Sequence, residues 1–220
     1  MLSSTESRVL GCLLEKQRLT PETYPLTLNS LVTACNQSTN REPVLSLGEK
    51  EIEAALESLR FEHKLVTVVF GAGARVQKYR HNFADIYNLS PQETALLTVL
   101  LLRGPQTVGE LRSRTERLAD PPLGSVPEAE SVLDGLANAA EPLVRLLPAR
   151  PGQKERRYVQ LLSGEPALEA PLAADLSAGH ATPTRLSGSR LETVENEVAM
   201  LKAEVQTLRE ELAEFRRQFE

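Results

Sequence analysis

The chain has 220 residues, 41% of them apolar but only 4% aromatic, with no tryptophan; that suits one or two modest cores plus a tail and excludes a large pocket of stacked rings. The formal charge is −5, unevenly placed: residues 1–163 hold 19 Lys+Arg against 19 Asp+Glu, a net of 0, and residues 164–220 hold 6 against 11, a net of −5. This excludes the strongly basic domain of a typical nucleic-acid binder, so any contact with a polyanion must come from local patches.

Met1 opens no signal-peptide pattern, and no apolar run approaches the roughly eighteen residues of a membrane span. A cytoplasmic chain without a membrane partner is expected. Cys12 and Cys35 fall within apolar helical faces and lack a CxxC partner, so each reads as a small core filler.

Ser3-x-x-Glu6 is a capping box, and Val9, Leu10, Leu13 and Leu14 follow on one helical face. Adding 87 to each number leads to Ser90-x-x-Glu93 and then Leu96, Leu97, Leu100 and Leu101. The match predicts two copies of one unit. A shorter second helix follows in each copy. In the first it spans about 27–35 with Leu28, Leu31, Val32 and Cys35 inward, after the turn prolines Pro21 and Pro25. In the second it opens with the capping box Thr107-x-x-Glu110 and turns Leu111 inward. The third helices also align: Ile52, Ala55, Leu56 and Leu59 match Ala129, Val132, Leu133 and Leu136. Each leads to a β-prone run (65–70, 143–147), a Gly- or Pro-bearing loop, and a second strand containing Tyr79 or Tyr158, which reads as a hairpin.

Three helices and a hairpin predict a winged helix. The expected fold is mainly α with small β-hairpins (α+β): winged-helix units at 1–85 and 90–163, a Pro/Ala/Gly/Ser linker at 164–189 and a helix at 190–220. In that last segment Leu191, Val194, Val198, Leu201, Val205, Leu208, Leu212, Phe215 and Phe219 alternate in steps of three and four, the seam of a coiled coil. Glu197, Glu204 and Glu211 at g face Lys202, Arg209 and Arg216 at e′, so a parallel homodimer is expected. A single helix docked on its own domain needs no such matched charges.

The stretch Cys35-Asn36-Gln37-Ser38-Thr39-Asn40-Arg41-Glu42-Pro43-Val44 resembles the YceH family of bacterial proteins. So do Arg75-Val76-Gln77-Lys78-Tyr79-Arg80-His81, Leu101-Leu102-Arg103-Gly104-Pro105-Gln106-Thr107 with Gly109-Glu110-Leu111-Arg112, and Glu155-Arg156-Arg157-Tyr158. The resemblance covers residues 1–163 and implies tandem winged helices; it implies no activity. Gln37-Ser38-Thr39-Asn40 stands where the family more often has Gln-Lys-Ser-Asn, one lysine fewer beside Arg41.

Three histidines lie far apart at 63, 81 and 180, and HExxH, paired CxxC, GxSxG and Walker patterns are absent. No catalytic residue, metal ligand or cofactor is therefore expected, and the chain reads as a non-enzyme. Gly71-x-Gly73 sits in a hairpin and reads as a wing turn. The third helices are acidic, with Glu49, Glu51, Glu53 and Glu57 against Lys50 and Arg60 in the first copy, and Glu128, Glu130, Asp134 and Glu141 unopposed in the second. Insertion of the second into a DNA groove is disfavoured. Cations gather instead at Arg41, Arg75, Lys78, Arg80 and His81, and at Arg150, Lys154, Arg156 and Arg157. Wing-led contact with double-stranded DNA phosphates by a regulator-like dimer is the first expectation. A scaffold whose acidic helices meet a basic protein partner is the alternative. For the basic wings, solvated strand edges that deter aggregation are the simpler account. Asn36 reads as a helix cap, and Arg41 as the functional member of its loop.

Overall fold

The computed structural model describes residues 1–70, 76–148 and 155–164. All of them belong to one compact unit, Met1–Glu169; the second unit, Ala170–Glu220, lies outside the described residues.

Among the described residues there are seven α-helices and two small antiparallel sheets, an α+β fold. The first half runs α1 (Ser4–Leu19), β1 (Leu26–Thr27), α2 (Leu28–Cys35), α3 (Glu49–Phe61), β2 (Val66–Phe70) and β3 (Gln77–His81). A short α4 (Phe83–Ile86) then leads into α5 (Pro91–Arg103), β4 (Gln106–Thr107), α6 (Val108–Thr115), α7 (Val126–Ala137), β5 (Val144–Leu146) and β6 (Arg157–Gln160). The element order of the first half repeats in the second. The sheets repeat as well: β1-β3-β2 and β4-β6-β5, with Leu26 opposite Tyr79 and Gln106 opposite Tyr158. The two-residue strands β1 and β4 are not expected from sequence, since neither is long enough to show an alternating pattern.

The capping boxes form as predicted. Ser3 accepts from the Glu6 N–H at 3.2 Å while Glu6 accepts from the Ser3 N–H at 2.6 Å, and Ser90 with Glu93 and Thr107 with Glu110 repeat the exchange. Two orphan donors of each helix start are thereby satisfied.

The predicted apolar faces turn inward, with Leu28, Val32 and Val132 only partly buried, but α1 and α5 are buried on their other sides too. Every residue from Glu6 to Glu15 and from Thr94 to Leu102 is enclosed. The reason is that α1 packs against α2 and α3 on one side and against α5 on the other. The two repeats therefore share one core, in which Leu10, Leu13, Leu14, Leu96, Leu97 and Leu100 are fully buried. The helices approach most closely at Gly11, where a Cβ would lie 2.8 Å from Leu102 Cδ2 and 3.2 Å from Leu101 Cβ. Gly11→Ala is expected to lower stability by about 1–2 kcal/mol, because the overpacking outweighs the better helix propensity of alanine. Gly135→Ala in α7, where a Cβ meets nothing within 4 Å, is expected to raise stability by about 0.5–1 kcal/mol. Urea unfolding of the two variants should therefore shift in opposite directions.

Candidate functional site

Between α2 and α3 the chain makes a long irregular loop that contains the Asn36–Val44 motif. Side chains hold it from within. The Asn36 amide donates to the Leu47 carbonyl at 2.8 Å and accepts from its N–H at 2.7 Å. Asn36 thus ends α2 as expected, but its side chain braces the far end of the loop instead of the helix. The loop also reaches the second repeat, through the Glu42 N–H on the Leu102 carbonyl at 2.8 Å and through Arg103 on the Asn40 side-chain oxygen.

Arg41 is the residue singled out for phosphate contact, and its placement overturns that expectation. It is only 5% exposed. Its Nη1 and Nη2 donate to the two oxygens of Glu15 at 3.0 and 2.6 Å. Nε reaches the Ala34 carbonyl at 3.1 Å, Nη1 the Asn40 carbonyl at 3.0 Å and Nη2 the Gln37 Oε1 at 2.9 Å. A guanidinium has five N–H donors, and all five are engaged inside the protein. Burial alone would raise the Glu15 pKa, but the hydrogen bond and charge of Arg41 hold it below the usual carboxylate range. Arg8, one helical turn before Cys12, is 2% exposed. It donates to the carbonyls of Cys35 at 3.0 Å and Pro43 at 2.6 Å, and its Nε has no partner.

Neither Arg8 nor Glu15 is evident as a buried charge from the first repeat alone. Alignment of the repeats holds the signal. Adding 87 places Arg8 opposite Ala95 and Glu15 opposite Leu102, so the first copy carries charges at two positions that are apolar in the second.

The cations of the hairpins divide differently. Lys78 and Arg80 alternate on β3, so both point to the sheet face opposite the buried Tyr79. Lys78 is half-buried, and Arg80 is exposed, 3.8 Å from an exposed Asp85 carboxylate. His81 is not a surface cation at all: it is 4% exposed, with Nε2 2.6 Å from Gln17 Oε1, and burial pushes its pKa down to about 4. In the second repeat Arg156 is exposed, whereas Arg157 turns inward, donating to the Pro105 carbonyl at 3.1 Å and pairing with Glu110 at 3.3 Å. Lys78 and Arg157 hold equivalent places in the two sheets, opposite Thr27 and Thr107, yet the second is tied up by a carboxylate. Arg75, Arg150 and Lys154 lie outside the described residues, as does the whole seam from Leu191 to Phe219.

The acidic third helices keep their charges at the surface. Glu128, Glu130 and Asp134 are exposed on α7, and Asp134 accepts from the Tyr158 hydroxyl at 2.8 Å. That bond, after burial of the ring, raises the tyrosine pKa.

A histidine and a carboxylate meet where α1 starts, with His63 Nε2 3.8 Å from Glu6 Oε2. Among the described residues no group of three or more His, Cys, Asp or Glu could hold a metal ion. Nor is any described helix long and apolar enough to cross a membrane.

Residues 2–153 match the family model described as "Protein of unknown function, DUF480". A UPF0502 protein of Geobacter sulfurreducens, GSU0233, is 47% identical over 220 residues, covering 100% of this chain and 99% of that protein. The chain belongs to the DUF480/UPF0502 family. A UPF0502 protein of Citrifermentans bemidjiense is 52% identical over 191 residues, 87% of this chain and 86% of its own. One from Aeromonas hydrophila is 44% identical over 218 residues, 97% of each. UPF0502 proteins thus extend over the whole of this chain, beyond the end of the DUF480 match.

Proposed function

We propose that this UPF0502 protein is a non-enzymatic, tandem winged-helix protein of the YceH type that acts by docking to a basic protein partner. What supports the winged-helix reading is the order helix, short strand, two helices and hairpin, with the first strand beside the last, in both halves. In such a unit the third helix is the element that reads a groove. The observation that favours a protein partner is the charge on those helices: α7 presents Glu128, Glu130 and Asp134 with no basic residue, and α3 presents four glutamates against Lys50 and Arg60. A polyanion is repelled by such a face and a basic surface is attracted. The internal engagement of Arg41 and Arg157 supports the same reading, since it removes two of the cations that DNA would need. The heptad seam at 191–219 pairs two copies in this proposal, so that the faces are displayed in duplicate.

One observation favours a second reading: Lys78 and Arg80 lie on a common face of β3, as a strand laid on phosphates would have them. A salt titration separates the two. The full chain is expected to show no retention of duplex DNA at low ionic strength. In-cell protein crosslinks are expected to map to α3 and α7 and to disappear with Glu53→Lys, Glu57→Lys and Glu130→Lys together. DNA affinity that falls steeply with salt, and flattens with Lys78→Ala and Arg80→Ala, would replace the protein-docking reading with the DNA one.

A further inference from the structure

We infer that the open edge of β2, at Thr67–Phe70, takes an extended peptide segment in which acidic and apolar residues alternate, added to the first sheet as a fourth strand. β2 is the outer strand of the order β1-β3-β2 and pairs only with β3. Alternation fixes which of its main-chain groups are free. The Asn82 N–H donates to the Leu65 carbonyl at 2.8 Å, so the pairs that exchange hydrogen bonds are Thr67 with Arg80 and Val69 with Lys78. The His81 N–H agrees, since it turns away from β2 and donates to the Tyr24 hydroxyl. The N–H and C=O groups of Val68 and Phe70 therefore point out of the edge, away from β3. Val66, 2% exposed, ends the accessible stretch on its inner side.

This edge carries none of the features that keep a strand from pairing. Leu65-Val66-Thr67-Val68-Val69-Phe70 has no charge and no proline, and Phe70 is 63% exposed. The corresponding strand of the second sheet is β5, in which Leu146 faces Tyr158 as Val68 faces Tyr79. It spans three residues against five, and it holds Arg145 where β2 has Thr67. A charge in the middle of an edge strand deters pairing, so the first sheet is open to a strand that the second discourages.

The chemistry of the occupant follows from the two faces of the sheet. On the outer face Arg80 stands opposite Thr67 and Lys78 opposite Val69. An acidic side chain on the added strand lies beside Thr67 or Val69, two strand spacings or about 10 Å from the backbone of these cations. Their long side chains reach across the short Thr67 and Val69 to meet it. The present partner of Arg80 is an exposed Asp85 carboxylate at 3.8 Å, a pair weak enough in water to be exchanged. On the inner face the added strand meets Phe70 and the side of the sheet on which α3, with four glutamates, packs. There apolar residues cover the Phe70 ring and acidic ones are repelled. A second copy fits less well. β2 has no acidic residue to offer, and pairing two such edges places four cations on one face of the joined sheet. This inference does not rest on the docking function proposed above, which uses α3 and α7.

The test uses the full chain and an acetylated octapeptide of alternating glutamate and valine, with amide hydrogen exchange followed residue by residue by NMR. On adding the peptide, the Val68 and Phe70 amides are expected to slow by about tenfold or more, while the Thr67 and Val69 amides, already bonded to β3, change by less than about twofold. That alternation separates an added strand from a peptide lying on the surface. Arg80→Glu should weaken binding of this peptide by about tenfold and strengthen that of an alternating lysine–valine octapeptide. Val68→Pro removes an outward N–H, leaves the ladder with β3 intact and should abolish binding; if that variant does not fold, the wild-type exchange pattern decides. No binding at up to about 1 mM peptide, equal binding of an octapeptide whose glutamates all precede its valines, or uniform protection along β2 would each overturn the inference. Val68 and Phe70 amides that are already protected without peptide, more so at higher protein concentration, would overturn it too and assign the edge to a second copy.

Discussion

Arg41→Met is expected to cost about 3–5 kcal/mol of folding stability, measured by urea unfolding near neutral pH. The substitution leaves Glu15 buried at 5% exposure after losing two charge-assisted hydrogen bonds, of 3.0 and 2.6 Å. Lys16 Nζ, 3.1 Å from the same carboxylate, remains but is the more exposed partner and offsets little. The loss extends beyond the ion pair, since Arg41 also holds the carbonyls of Ala34 and Asn40 and the Gln37 amide. Adding Glu15→Leu should recover most of it, because the buried charge is removed along with its partner. The second repeat already holds that solution, with Leu102 in the place of Glu15. The coupling between the two sites is expected to be about 3 kcal/mol in a double-mutant cycle. A loss under about 1 kcal/mol for Arg41→Met, within the range of a surface ion pair, would mean that the guanidinium is wet in solution, and the phosphate role would again be open to it.

The sequence rendered the fold more faithfully than the site, for a reason visible in particular residues. Capping boxes are local: Ser3 with Glu6 and Ser90 with Glu93 span three residues each and form as read. The apolar faces of α3 and α7 are also local patterns, and Ile52, Leu56, Leu59, Ala129, Leu133 and Leu136 are buried as periodicity requires. What periodicity missed is the second buried side of α1. Arg8 and Glu15 lie off the predicted face and are covered by the end of α2 and the loop after it, while α5 packs on α1 at Gly11, a contact between residues about ninety apart. Once α1 is enclosed, each of its polar residues must find a partner inside. Those partners lie at the end of α2, in the Cys35 carbonyl that Arg8 reaches, and in a loop whose path no local pattern fixes, where Arg41 meets Glu15 and the Pro43 carbonyl meets Arg8. Arg41, with Asn and Glu beside it in a polar loop, looks like a surface residue by composition. Its burial follows from tertiary packing alone. The same holds for His81, which ends a strand among cations yet points into the core beside Tyr24, at a ring separation of 6.1 Å.

His81 should make the protein lose stability on mild acidification, by about 2 kcal/mol between pH 7.5 and pH 5 and toward about 3 kcal/mol near pH 4. Its backbone N–H donates to the Tyr24 hydroxyl at 2.8 Å, and its Nε2 lies 2.6 Å from the Gln17 Oε1 acceptor, so the proton of the neutral ring sits on Nε2. Nδ1 is buried with no acceptor in reach, and a proton added there gains no hydrogen bond. Burial is the main cause that takes the pKa from 6.5 to about 4; the nearby Asp85 charge opposes the shift and Arg80 adds to it. The sign follows directly. The unfolded chain binds the proton near 6.5 and the folded chain only near 4, so the unfolded state binds more protons throughout that window. The contribution is complete above about 6.5, declines as the pH falls toward 4 and is constant below. Glu6 and Glu15, whose pKa values are lowered, lose their contributions only below the ordinary carboxylate value of 4.5, so the two effects occupy different pH ranges. Urea unfolding of the wild type and of His81→Gln, which keeps a donor for Gln17, should therefore give curves of stability against pH that converge on going from pH 7.5 to pH 5. Parallel curves over that interval would place the His81 pKa near its ordinary value and its ring in water, returning it to the surface cations of the hairpin.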